Sequence, residues 1–285
     1  MREIFLIMIT IGVLQATETE IVHSSATLYL EHKNFSNSVQ KKDGVVAGVG
    51  ADVHYRDSAY KVNYEYGKTA TKQPPLEDDL TTQKLFARYG YMLNKTLAFN
   101  LNAIKILRDN IAITDGGVAY GAGISFSPSK VLSSNFTQFY TIYDDFDVAQ
   151  SELKLVYKSK YREIGFKLSS ITKYIAISDK HANSFTKNAQ SSYVTSGVKV
   201  HAHYSSWHAG LGAYFGKRAF AIMNEGFKIQ HHAMEFDRTY AIGIGKNIGS
   251  FVLRAQYIYQ RAEELPVLNS DVRVSNLRLI TNYKF

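Results

Sequence analysis

The amino-acid sequence predicts an all-β fold: a transmembrane antiparallel up-and-down β-barrel of about fourteen strands, with twelve or sixteen as the neighbouring solutions. Three observations carry that expectation. From about Ser25 to the C-terminus apolar and polar residues alternate with period two, and no segment has a convincing 3.6-residue stripe. The alternating segments run to about ten residues, close to the roughly nine to eleven that a tilted strand needs to cross a bilayer, whereas globular strands average about five or six. The connections between them alternate between long and short along the chain.

The chain opens on Met1-Arg2-Glu3, a mostly apolar run from Ile4 to Leu14, and Gln15-Ala16-Thr17. A basic residue ahead of a short apolar run that ends near a small residue is the pattern of a secretory signal peptide. Residues 1–16 are therefore expected to be removed after Ala16, leaving 17–285 as the barrel; a short buried helix is the alternative. No run of eighteen apolar residues occurs and the mean hydropathy is only -0.19, which excludes a helical membrane bundle. There is no Cys, so an exported chain of this kind has to be stable without disulfides. The chain has 20 Tyr and 16 Phe against one Trp, and a ring with a polar tip suits a boundary between lipid and water.

The candidate strands fall at 25–33, 44–56, 58–67, 81–93, 96–107, 117–127, 131–143, 148–159, 162–175, 192–204, 207–216, 232–246, 250–260 and 272–285. In the third, Tyr60, Val62, Tyr64 and Tyr66 oppose Lys61, Asn63 and Glu65. The fifth switches parity at Ile104 and Ile106, for which a bulge is the expected cause. In the sixth, "GGVAYGAG" superficially resembles a phosphate loop but lacks its Lys-Ser/Thr ending and a following helix, so Gly121 and Gly123 are read as space on one face. The seventh has no clean face. In the eleventh, Trp207, Ala209, Leu211, Ala213 and Phe215 oppose His208, Gly210, Gly212 and Tyr214; in the thirteenth, Phe251, Leu253, Ala255, Tyr257 and Tyr259 oppose Arg254, Gln256 and Gln260. The last ends on alternating Leu277, Leu279, Thr281, Tyr283 and Phe285.

After odd-numbered strands come the connections 34–43, 68–80, 108–116, 144–147, 176–191, 217–231 and 261–271. After even-numbered ones come tight turns such as Asp57, Asn94-Lys95 and Ser205-Ser206. Long loops at one end and tight turns at the other, amphipathic strands, the signal-like N-terminus and the closing Tyr283-Lys284-Phe285 together resemble the Gram-negative outer-membrane β-barrel class. In size and inferred strand number the chain is similar to monomeric fourteen-stranded porins. The resemblance implies tight turns and both termini on the periplasmic side, an environment of outer-membrane lipid and lipopolysaccharide, and Tyr283 and Phe285 as a signal read by the barrel assembly machinery.

With the apolar faces toward lipid, parity assigns Arg56, Lys61, Glu65, Arg88, Lys154, Glu163, Lys167, Lys199, His201, His203, Glu235, Arg254 and Arg278 to the lumen, where bases outnumber acids. Burying so many charges in a dry core is very costly, so the interior is expected to be wet, and a basic lumen concentrates anions. The expected function is a porin-like passive channel for small, preferably anionic solutes. A non-conducting structural or adhesive barrel is the first alternative, with loops 176–191 and 217–231 long enough to fold inward. An outer-membrane lipid hydrolase is the second: His32, Ser275 and Asp271 share an outward face near the seam of first and last strands, but no His-x-Ser-Asn-Gly pattern accompanies them. His201 and His203 at i and i+2, with His208 on the next strand, lack a nearby Cys or carboxylate, so pore-lining histidines are expected rather than a metal site. No cofactor is expected, and dispersed basic residues argue against nucleic acid as a partner.

Overall fold

The computed structural model describes residues 21–73, 76, 78–110 and 113–285. The expected signal segment, residues 1–16, lies outside them. The wall consists of β1 (Ile21–Ser36), β2 (Lys41–Tyr55), β3 (Ser58–Thr71), β4 (Leu80–Met92), β5 (Leu97–Asp109), β6 (Val118–Phe126), β7 (Leu132–Ile142), β8 (Asp147–Tyr161), β9 (Ile164–Ser178), β10 (Ser192–Tyr204), β11 (Trp207–Arg218), β14 (Met234–Ile248), β15 (Phe251–Glu264) and β16 (Asn269–Lys284). Two further short strands, β12 (Ile222–Met223) and β13 (Lys228–Ile229), form a separate hairpin inside the connection between β11 and β14.

Each wall strand pairs antiparallel with its neighbours in sequence, and β1 pairs with β16 from Ser25↔Lys284 to Ser36↔Arg273, closing a fourteen-stranded barrel. Closure leaves no sheet edge, so the backbone N–H and C=O groups are satisfied without water, as hydrocarbon requires. Phe285 extends the seam by donating its N–H to the Ser24 carbonyl at 3.1 Å.

The outward face is the apolar one. Leu28, Leu101, Leu168, Leu211, Ile242, Leu253 and Leu279 stand exposed around the wall, and Leu211 keeps 61 % of its surface. In water a belt of that extent would drive aggregation; in a bilayer it is the contact surface. Aromatic rings gather near the tight turns: Tyr60 packs on Tyr89 with centroids 5.2 Å apart, Phe251 on Tyr283 at 4.9 Å, and Lys246 lies 4.8 Å over Trp207. Tyr66, Tyr140, Tyr174 and Phe215 are exposed on the outer wall toward the loop end.

Two strands depart from the simple alternation for one shared reason. In β5, Asn100, Asn102, Ile104 and Ile106 are all buried on a single face, so the expected parity switch is absent at the two isoleucines. The bulge comes one step later, where Gln83 pairs with Arg108 but Lys84 with Ile106, leaving Leu107 exposed. In β7, Leu132, Phe136, Tyr140 and Ile142 are exposed while Thr137, Phe139 and Thr141 are buried. These strands bear apolar residues on both faces because the lumen beside them is filled with apolar side chains.

Candidate functional site

The filling is the connection 219–233. Its two short strands pair as Ile222↔Ile229 and Met223↔Lys228, around a tip at Asn224–Gly226 whose three residues all have positive φ. Gly226 sits at φ +95, and a Cβ there would approach Asn102 Oδ1 to 2.8 Å, so both the turn and the close approach to β5 favour glycine. The local sequence supplies the reason for the hairpin: Ala-Phe-Ala-Ile-Met and Phe-Lys-Ile flank Asn-Glu-Gly, two apolar runs around turn residues.

The stem of this hairpin is dry. Ala219, Phe220, Ala221 and Ile222 are fully buried or nearly so, in one cluster with Phe86, Ile104, Ile106, Phe139 and Ile175 from the wall and Phe146 from the connection between β7 and β8. Phe220 meets Phe146 edge-on at 4.8 Å. Polar groups of the wall satisfy the buried backbone: Gln150 donates from Nε2 to the Ile222 carbonyl at 2.8 Å and accepts from the Ile222 N–H at 2.9 Å, and Lys173 adds a bond to the same carbonyl at 2.8 Å while paired with Glu152. Gln150 therefore stands in for a neighbouring strand.

The tip is held by charge. Glu225 accepts from Arg88 of β4 at 2.9 Å and from Lys154 of β8, two strands on different parts of the wall. Burial opposes its ionisation, but Lys154 and Arg88 prevail and bring the carboxyl down to about 2. Lys61 lies 4.9 Å over the Phe227 ring, and Lys228 reaches Glu31 at 3.4 Å. On the return limb, His231 Nδ1 lies 3.0 Å from Asp109, and Thr114 sets its hydroxyl between that carboxylate and the His231 carbonyl. Burial first, then the nearby cations Lys84, Lys33 and Lys41, push both His231 and His232 well below the usual histidine value.

Below the hairpin, toward the tight turns, an open chamber of about 490 Å³ remains on the β10–β16 side. Lys199, His201, His208, Gln256, Arg254 and Arg278 line it, and Lys154 and Lys167 border a continuous recess that shares Lys199 and His201. Among the described residues, no ion pair joins Lys167, Lys199 or Arg254 to a carboxylate.

The lumen assignment made from parity thus meets two environments. Toward the loop end the interior is dry rather than wet: Glu65 is buried against Lys84 at 2.6 Å and accepts from Tyr29 at 2.8 Å. Toward the tight turns Lys61, Lys154, Lys167, Lys199, His201, His203 and Arg254 are at least partly exposed. Arg278 stacks 3.9 Å over Tyr29 and lies 3.8 Å from Glu31. Arg56 and Glu163 fall in the tight turns, just past the strand ends. Glu235 stands above a bulge at Asp237 and pairs with Lys217 at the loop end, away from the chamber. Closure sets His32 opposite Leu277 and Ser275 opposite Asn34, while Asp271 engages Asn37 at 2.9 Å and Arg273 at 3.7 Å. No hydrogen bond links His32, Ser275 and Asp271 among the described residues. His201 and His203 lie 5.5 and 6.3 Å from His208 between ring centroids, and no group of three or more metal-ligating side chains suited to an ion occurs among the described residues.

Residue-by-residue parity did not single out Glu225, Gln150 or the Asn224–Gly226 tip. Their signal was the Asn-Glu-Gly turn between apolar runs, together with the doubly apolar strands β5 and β7 that receive it.

No protein-family model and no curated protein sequence matches the chain. Solved structures match its shape. A bacterial polysaccharide outer membrane secretin superposes with a TM-score of 0.58 at 9% identity, over 91% of this chain and 98% of the other. A Pseudomonas aeruginosa FadL homologue gives 0.53 at 9% identity, over 92% and 90%, and the Acinetobacter baumannii outer membrane protein Omp33 gives 0.52 at 9% identity, over 93% and 99%. At such identities the likeness is one of fold. With the closed wall, the exposed apolar belt and the layout of its loops, it gives the chain the fold of a fourteen-stranded outer-membrane β-barrel.

Proposed function

We propose that the chain is a passive diffusion channel for small anionic solutes, with the 219–233 hairpin setting its aperture. The observation that carries this reading is the set of cations Lys167, Lys199 and Arg254, which border an open recess with no carboxylate paired to them among the described residues. Cations kept only to brace a wall would be matched by acids, as Lys84 and Lys173 are; unmatched ones favour a mobile anion as counter-charge. In this reading residues 1–16 direct export, the tight turns face the periplasm, and Tyr283 and Phe285 serve recognition by the assembly machinery, with lipopolysaccharide around the loop end.

The dry packing of Ala219–Ile222 favours a second reading, a barrel closed for structural or adhesive purposes. Planar-bilayer recording of refolded protein separates them. The channel reading expects discrete current steps and, in a KCl gradient, a reversal potential displaced toward that of chloride. A silent membrane containing folded barrel would leave the structural reading in its place.

A further inference from the structure

The recess beneath the hairpin tip gathers lysines from three adjacent strands. Lys154 comes from β8, Lys167 and Lys173 from β9 and Lys199 from β10, against the carboxylates of Glu152 on β8 and Glu225 on the tip. Glu152 pairs with the buried Lys173, and Glu225 is shared between Lys154 and Arg88. Among the described residues, Lys167 and Lys199 have no acid partner. Register crowds them further: Lys158 stands directly opposite Lys167 across β8 and β9, and Lys167 directly opposite His201 across β9 and β10. Like charges so placed destabilise a strand pair, and the row favours a counter-charge from outside the chain. Carboxylates at the upper end of the adjoining chamber do not supply it. Glu65 is taken by Lys84 at 2.6 Å, and Glu31 lies 3.4 Å from Lys228 and 3.8 Å from both Lys33 and Arg278. The side toward the chamber is open. On β11, Gly212 stands opposite Lys199 and Gly210 opposite His201, and Gly243 and Gly245 continue the bare wall on β14. A Cβ added at Gly210 would meet nothing nearer than 3.8 Å.

The chain itself sets an anion at the edge of this recess, the Glu225 carboxylate on Lys154. That carboxylate also takes Arg88, whose planar guanidinium suits it. The free donors are of another kind. Lys167 and Lys199 end in compact, rotatable ammonium groups, and Ser169, opposite Lys199 in register, adds a hydroxyl. Such donors suit the oxygens of a tetrahedral phosphoryl group. A monovalent anion would leave one of the two free lysines without counter-charge. We infer that the recess is a binding site for a multivalent phosphorylated anion, its oxygens on Lys167, Lys199 and Ser169, in competition with Glu225 for Lys154. The recess, about 450 Å³, is in the range of small-molecule sites. The inference names the solute class of the proposed channel and rests on that reading only for the route by which the anion arrives.

The test is isothermal titration of the refolded full-length barrel in detergent, at constant ionic strength, with inorganic diphosphate beside acetate and succinate. Saturable diphosphate binding is expected, at least tenfold tighter than either carboxylate. Lys167→Gln and Lys199→Gln should each weaken it about three- to tenfold, the scale of a charge-assisted bond screened by water. Glu225→Gln, which removes the internal competitor, should tighten it by a similar factor. Lys246→Gln deletes the same charge on the outer wall, where Lys246 lies over Trp207, and should leave binding unchanged. Circular dichroism and gel mobility report an intact barrel; should one lysine variant fail to refold, the other and Glu225→Gln decide. Equal affinity for acetate or succinate, equal weakening by Lys246→Gln, or binding untouched by the three recess variants overturns the inference. Diphosphate binding with these variant effects in a barrel that passes no current would sink the channel and leave this site standing. Anion-selective current without saturable diphosphate binding would do the reverse.

Discussion

Replacing Glu225 by Gln is the sharpest perturbation of the hairpin, because it keeps the size of the side chain and deletes the charge that Arg88 and Lys154 hold. The Glu225 side chain is 41 % exposed, so water screens both pairs. Each is then worth about 0.5–1 kcal/mol, and the two together about 1–2 kcal/mol. That is a five- to thirtyfold fall in the equilibrium between docked and released tip. The stem stays anchored through Gln150 and Lys173, so partial release is expected rather than loss of the hairpin. In planar bilayers Glu225→Gln should raise the time spent in larger conductance states by about tenfold and, by freeing two cations, increase the preference for chloride. Acid should not mimic it in the neutral range. A carboxyl held at about 2 rather than 4.5 contributes its tether in full above 4.5 and loses it only as pH falls toward 2. Wild-type-like conductance and selectivity in Glu225→Gln, with equal protease protection of the hairpin, would refute the tether.

Four other outcomes follow from the same geometry. His231 and His232 are buried neutral, so the docked return limb is fully stable above about 6.5 and loses stability as pH falls below it; current fluctuations should increase between pH 6.5 and 5, and His231→Gln with His232→Gln should flatten that dependence. Phe220→Ala removes a fully buried ring and should cost about 3–5 kcal/mol of hairpin docking, read as new proteolysis at Lys228 while the wall stays resistant. Leu211→Arg on the lipid face should cost about 2–4 kcal/mol in reversible folding into vesicles, whereas Lys199→Ala on the chamber face should change it little. Deleting Phe285 removes one N–H bond at the seam and should spare folding in detergent while lowering the amount assembled in cells.

Much of the wall was legible in the sequence. Alternation in β3, β11 and β15 declares which side chains meet lipid, because consecutive side chains of an extended strand point to opposite faces whatever the rest of the chain does. The period-two segments pointed to about fourteen strands, with twelve or sixteen as neighbours, and the alternation of long and tight connections set the end at which the termini meet. The places where periodicity failed were informative too: Ile104, Ile106 and Phe139 broke the pattern because they face a buried apolar surface instead of solvent.

What fills the interior was decided by tertiary structure alone. Alternation encodes direction and not surroundings, so Glu65, buried against Lys84, and Arg254, open to the chamber, look alike in the sequence. They differ because closure of β1 on β16 brings the 219–233 segment over one part of the lumen and leaves the glycine-lined part beneath it free. The contacts of Glu225 with Arg88 and Lys154 join residues 137 and 71 positions apart. No local rule relates positions so distant in the chain; only the folded ring sets them face to face.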